Sequence, residues 1–325
     1  MIRAIVYDAD GVEHYDDLDR AKRAPGTTWV RAETADPTEM QRVADVFGIH
    51  PLSVEDIHRD VRPKTEDYPN HVFVLMKTAA LRRGETTFDE EIRTTQVGLF
   101  VGSDWLVSFA VDEVDAVQRV WDNIENGESR ALRFGPDFTA YRVVDRVVDD
   151  YFLLLDDIET TIEAIEDGIL GGPDPDVLES LNAVRRDLLS FRKVVWPTRE
   201  AVNVLARGDP DEIRDTTEKY YRDVYDHLVQ LADLTETYRD LARGARDIYQ
   251  NAVAQSTNEV MKRLTVVATV ILPLTLVVGI FGMNFTDSAF NMPELAWEYG
   301  YPAVMVGMAA VSLVLLVYFE REEWL

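Results

Sequence analysis

Two stretches of this chain, 264–281 and 302–319, each run for 18 residues without a charged side chain. No other feature limits the possible folds as strongly. A helix that crosses hydrocarbon needs roughly 20 apolar residues, within a range of about 17–25. Both stretches reach that length once a flanking turn is added. Core helices of soluble domains are amphipathic, whereas these are apolar on every side. The connection 282–301 carries no Lys or Arg, while Lys262, Arg263 and Arg321 flank the pair. Positive residues stay on the cytoplasmic side, so both termini are expected inside and the connection outside.

The remaining residues are polar enough to form a cytoplasmic body. The first eight, Met1 to Asp8, read as a short strand and not as a secretory leader. Cysteine is absent, which excludes disulfides, thiolate metal sites and cysteine catalysis. Acids outnumber bases 59 to 33, the formal charge is −26, and only six bases are Lys. An acid-rich, Lys-poor surface fits a host with molar internal salt, where the screening length falls to about 3 Å. No basic stripe is visible, which argues against nucleic acid as a partner.

Three segments follow from the patterning. Residues 1–130 alternate strand and helix signals and are expected to form a small α/β domain. Val72–Met76 and Thr95–Val101 are β-rich, and Trp105–Ala110 follows a Gly-Ser-Asp turn, so the last two are expected to pair as a hairpin. Asp36-Pro37-Thr38-Glu39 has the chemistry of a helix start. Residues 131–261 are helical: a hairpin broken at Gly171-Gly172-Pro173, then, after Gly208-Asp209-Pro210, one long stalk helix from Ile213 toward Phe281. Residues 262–325 form the transmembrane part. The fold class is thus an α/β cytoplasmic domain, a helical stalk and a two-helix membrane hairpin.

Two helices cannot enclose a pore, but a ring of identical chains can. Along the first span Asn258, Met261, Leu264 or Thr265, Ala268, Leu272, Thr275 and Gly279 recur at three- and four-residue steps. Small and polar residues concentrate on that stripe, which fits either a pore lining or close helix packing.

The order of several short motifs then becomes specific. Phe281-Gly282-Met283-Asn284-Phe285 closes the first span, and Met292-Pro293-Glu294-Leu295 and Gly300-Tyr301-Pro302 follow. Upstream stand His50-Pro51-Leu52, Glu55-Asp56-Ile57, Arg62-Pro63-Lys64, Asp149-Asp150-Tyr151-Phe152 and Thr257-Asn258-Glu259-Val260-Met261-Lys262. The chain ends on Trp324-Leu325. The set resembles the CorA family of divalent-cation channels over most of the chain.

The resemblance implies a homopentamer in the cell membrane that imports chiefly Mg2+, with Co2+ and Ni2+ as further cargoes. Gly282, Met283 and Asn284 would form the selectivity filter, and Asn284 would ring the outer mouth. Mg2+ gives up its waters reluctantly. Amide oxygens can accept hydrogen bonds from those waters without stripping them. Asn258, Met261, Leu264, Ala268, Leu272 and Thr275 would line the pore, with Leu264 and Leu272 as apolar constrictions that gate by dewetting. Intracellular Mg2+ would close the channel by bridging Asp56 of one chain to Asp247 of the next. A second cluster would use Glu55, Asp145 and Asp223. No organic cofactor is implied.

Two departures from the family stand out. Phe281 replaces the common Tyr, and the tail Glu320-Arg321-Glu322-Glu323 replaces a run of Lys. Other readings stay open: Zn2+, Co2+ or Ni2+ as the main cargo, or a membrane-anchored Mg2+ sensor that does not conduct. An enzyme is the weakest, because neither a phosphate-cradling G-x-x-x-x-G-K-[ST] nor H-E-x-x-H nor G-x-S-x-G occurs.

Overall fold

The computed structural model describes residues 2–81, 92–127, 130–172, 174–283, 292 and 297–324. The chain divides into two compact units, Met1–Leu170 with Asp174–Arg246, and Gly171–Pro173 with Asp247–Leu325.

The first unit is built on strands β1 (Ile2–Asp8), β2 (Gly11–Tyr15), β3 (Thr27–Glu33), β4 (Lys64–Tyr68), β5 (His71–Leu81), β6 (Ile92–Val101) and β7 (Trp105–Ala110). Among the described residues they make one seven-stranded sheet, in the order β2-β1-β3-β7-β6-β5-β4. Only β3 and β7 pair parallel, Thr28 opposite Trp105 and Val30 opposite Val107. The other neighbours are antiparallel, including the expected hairpin of β6 and β7, in which Val101 faces Leu106. Gly102 is needed in that turn. A Cβ there would stand 2.3 Å from the Trp105 ring.

Helices cover both faces of the sheet. On one face lie α1 (Leu18–Arg23), α2 (Pro37–Phe47) and α3 (Pro51–His58). Met40, Val43 and Phe47 of α2 join Val30, Phe73, Phe100 and Phe109 in a shared core. The start of α2 is a full capping box. Asp36 accepts from the N–H groups of Thr38 and Glu39 at 2.8 and 2.9 Å, and Glu39 accepts from the Asp36 N–H at 3.3 Å. The helix stops at Gly48, whose φ of +71° lies in the left-handed region that only Gly enters freely. That stop, with Pro51 in the first turn, sets α3 in place.

The other face packs against α4 (Asp115–Glu125), α5 (Pro136–Leu170) and α6 (Pro175–Ala206). Alternation along β3 decides which side chain goes where. Val30 points to the first core, while Trp29 meets Trp121 of α4 with ring centroids 4.9 Å apart. Tyr7 bonds Thr139 of α5, and the buried Tyr151 hydroxyl donates to the Lys77 carbonyl oxygen.

Helix α7 runs without a break from Asp215 to Phe281, as the sequence pattern predicts. Its first turns are tied to α5. Asp137, 1% exposed, accepts from the Arg214 N–H at 3.2 Å, and Tyr221 donates to the Asp137 carbonyl at 3.0 Å. In the second unit the C-terminal part of α7 is joined by α8 (Gly300–Arg321). Only 6% of the apolar window of either helix is buried inside the chain. Neither is a core helix of a soluble fold. Both are long and apolar enough to cross a membrane.

Candidate functional site

Within the second unit α7 shows α8 one face and leaves the other free. Val266 is buried at 3% exposure, and Pro273, Leu274, Val277 and Phe281 line an apolar groove with Val304, Gly307 and Met308 of α8. On α8 the covered positions recur every three or four residues: Val304, Met308, Ser312, Leu315 and Phe319. The helices are antiparallel. Phe281 lies toward the start of α8, while the Lys262 ammonium sits 5.9 Å from the Trp324 ring beyond its end. Trp324 also packs on Phe319, so the acidic tail is drawn back against the membrane-proximal end of α7.

The stripe picked out by spacing falls on the uncovered side. Asn258, Met261, Leu264, Ala268, Leu272 and Thr275 are all exposed, with Met261, Leu264 and Leu272 at 59, 68 and 67%. Two hydroxyls in the apolar stretch are satisfied by their own helix. Thr265 donates to the Met261 carbonyl at 2.8 Å, and Thr275 to the Ile271 carbonyl at 3.0 Å. This leaves the Thr275 oxygen as an acceptor toward whatever occupies the free side. Pro273 has no N–H for the helix ladder, so the Thr269 carbonyl, in the turn that holds Leu272, goes without that bond.

Gly282 and Met283 end this surface. The Gly282 N–H donates to the Val278 carbonyl at 2.8 Å and the Met283 N–H to the Ile280 carbonyl at 3.2 Å. Helical bonding therefore continues to the residue before Asn284. A side chain on Gly282 would bring a Cβ to 3.0 Å from the Val278 carbonyl oxygen. Asn284 itself lies outside the described residues, as do Phe285 and Glu294.

The regulatory candidates are spread over both units. Asp56 lies in the next-to-last residue pair of α3, where the Lys64 ammonium reaches its carboxylate at 2.7 Å and that of Glu66 at 2.7 Å. Burial works to lower the Lys64 pKa, but its hydrogen bonds to Asp56 and Glu66 outweigh that and raise it. Glu55 pairs with Arg59 one turn on. Asp145, on α5, accepts from the Tyr141 hydroxyl at 3.4 Å and lies 3.5 Å from an Arg142 nitrogen. Burial, and then the neighbouring Asp149 charge, push its carboxyl upward. His227, one turn past the exposed Asp223 on α7, is close enough to act on Asp145 electrostatically. Asp247 is exposed at the start of the second unit. Among the described residues, no group of three or more carboxylates or imidazoles in one chain is placed to hold a metal. Asp56, Glu55, Asp145 and Asp223 offer oxygen donors of the kind Mg2+ takes, each needing partners from water or another chain.

Comparison with known proteins decides the family. The model of the CorA-like Mg2+ transporter protein family matches residues 25–321. The chain belongs to the CorA family. It is 37% identical over 303 residues to the cobalt/magnesium transport protein CorA of Thermotoga maritima, covering 92% of this chain and 83% of that one. The complete CorA magnesium transporter structure from Methanocaldococcus jannaschii superposes with a TM-score of 0.82 at 22% identity, over 100% of this chain and 99% of that one. The soluble domain of that protein matches 78% of this chain with a TM-score of 0.65.

As a CorA-family chain it is a two-span membrane protein, and its departures acquire a setting. Phe281 faces the apolar groove beside α8, where a ring is accommodated without a hydroxyl. The residue that sequence reasoning missed is Lys64. Its motif, Arg62-Pro63-Lys64, is visible in the sequence, but nothing there says that β4 brings its ammonium between Asp56 and Glu66.

Proposed function

We propose that this chain is the subunit of a homopentameric channel in the cell membrane, with both termini cytoplasmic, that carries hydrated Mg2+ inward. Co2+ and Ni2+ are further cargoes. The observation that carries the reading is the free side of α7. It is left uncovered by α8, alternates apolar with small or polar positions, and leads directly into Gly282-Met283-Asn284. Five such faces turned inward form a conduit that two helices alone cannot. The named relatives are cobalt and magnesium transport proteins.

The driving force needs no enzyme chemistry. A divalent ion moving inward across 100 mV gains about 4.6 kcal/mol, at about 2.3 kcal/mol per charge. Asn284 amides at the outer mouth hold the hydrated ion through its waters, loosely enough for release. Leu272 and Leu264 form the dry constrictions, Ala268 leaves width between them, and Thr275, Met261 and Asn258 supply softer contacts above and below. Inside the cell Mg2+ binds between Asp56 and Asp247 of neighbouring chains, with Glu55, Asp145 and Asp223 as a second cluster. Ion binding favours the closed state only through its tighter affinity for that state.

Reconstituted protein in liposomes under an imposed Mg2+ gradient tests this. Wild type is expected to run as a pentamer and conduct, and Asn284→Ala to stay pentameric and stop conducting. Unchanged flux in that variant removes Asn284 from the filter. Wild-type vesicles tight to every divalent ion leave the sensor reading, and flux of Zn2+ alone reassigns the cargo.

A further inference from the structure

The first unit holds a feature that ion conduction does not use. Between α6 and the stalk part of α7 lies a cleft of about 360 Å³, edged by Arg185, Arg192, Arg239, Arg243 and Arg246. Five guanidiniums gathered in one place are unexpected in a chain with a formal charge of −26 and only 33 bases.

The local carboxylates do not neutralise them. Glu236 serves both Arg192, at 3.6 Å, and Arg239. Asp240 serves Arg243 at 3.0 Å and lies 3.8 Å from Arg239. Two acids are thus shared by three bases. Among the described residues neither Arg185 nor Arg246 pairs with a carboxylate. Among the described residues the buried Arg239 Nε atom has no hydrogen-bond acceptor. Like charges on facing helices repel, so the arrangement is stable when an anion enters between them.

We propose that this cleft binds a phosphate-bearing anion. The donors come from two helices and converge. Arg185 on α6 lies about two turns from Arg192, and Arg239, Arg243 and Arg246 follow one another along one side of α7. Guanidinium forks match phosphate oxygens two at a time, which an ammonium cannot do. Asn182 adds an amide beside them. Leu181 and Ala242, buried at 4 and 7% exposure, give the cleft an apolar floor against which the uncharged part of the ligand rests. The volume falls at the small end of ligand sites, which run from about 300 to 1,000 Å³. A nucleotide and a lipid headgroup share this chemistry, and so does free phosphate.

Calorimetry on the full chain in nanodiscs of neutral lipid, with EDTA present, tests the site. Inorganic phosphate and ATP are titrated separately, and a third arm measures binding of wild-type protein in neutral detergent to phosphatidylglycerol vesicles. The comparison is Arg185→Gln/Arg246→Gln, which removes the two bases of the cleft that hold no ion pair among the described residues. One arm is expected to bind, and its affinity to fall about 10-fold or more in the variant. The binding arm names the source. Arg185→Lys/Arg246→Lys keeps the charge, and is expected to recover part of the affinity but not all. No binding in any arm, or equal affinity in the Gln variant, overturns the proposal. So does loss of the oligomer in the Gln variant with no anion binding to wild type, which reassigns the cleft to contact between subunits. None of these readouts depends on ion flux, so the test stands apart from the channel reading.

Discussion

The Lys64 ammonium lies 2.7 Å from the Asp56 carboxylate, on the residue through which cytoplasmic Mg2+ is proposed to act. A protein cation therefore occupies one side of the proposed ion site and must be shared or displaced when Mg2+ binds. Both side chains are partly exposed, at 29 and 22%, so the pair is worth no more than about 1 kcal/mol. Lys64→Met removes this competitor. Internal Mg2+ is then expected to close the channel at concentrations about two- to fivefold lower. Flux from liposomes loaded with graded Mg2+ measures the shift; an unmoved or raised closing concentration counts against Asp56 as a ligand.

Asp247 gives the reverse case. Its carboxylate is exposed on α7, with no ion pair among the described residues. Asp247→Lys puts a fixed positive charge where Mg2+ would bridge two chains. Uptake is expected to persist when internal Mg2+ is high enough to close wild type. Inhibition at the wild-type concentration would show that closure does not pass through this residue.

What the sequence made legible follows its physics. The spans and the long stalk were readable because 18 uncharged residues and a continuous helical period leave little choice. Strands β5, β6 and β7 were readable from β-rich runs and one Gly-containing turn. The edge strands were not. Lys-Thr-Glu-Asp-Tyr in β4 and Gly-Val-Glu-His-Tyr in β2 are polar, and they are strands because β5 and β1 offer them a free edge. The parallel pairing of β3 with β7 joins residues more than 70 apart and has no local signal. For the same reason the stripe on α7, a local pattern, could be read from spacing, while Lys64 beside Asp56 and the arginine cleft between α6 and α7 could not. Those depend on which elements the fold brings together.

Leu272 tests the constriction. It is 67% exposed on the free side of α7, one turn below Thr275. In a ring of five chains an apolar collar of Leu272 excludes water and so blocks a hydrated ion. Leu272→Asn replaces it with a side chain of similar size that holds water. The variant is expected to leak Mg2+ under closing concentrations of internal Mg2+, with the oligomer unchanged. A conductance as low as that of wild type under those conditions would place the barrier elsewhere on the stripe.

His71 makes the stability of the first unit depend on pH. It is 1% exposed, stacked on Tyr68 at 4.9 Å, with Nδ1 bonded to Asn70 and Nε2 buried without a partner among the described residues. Burial, helped by the nearby His50, pushes its pKa down to about 4 from the ordinary 6.5. The unfolded chain therefore binds this proton before the folded one does. The contribution is complete above about pH 6.5 and is lost as pH falls toward 4, to a limit of about 3 kcal/mol at 1.36 kcal/mol per unit. The many carboxylates titrate over part of the same range, so the informative quantity is a difference between two proteins. His71→Phe keeps a ring against Tyr68 and removes the proton. Unfolding can be followed through Trp105, whose ring lies 5.8 Å from His71. Between pH 7 and 4.5 wild type is expected to lose more stability than the variant, and parallel losses would mean that His71 takes up its proton equally in the folded and unfolded states.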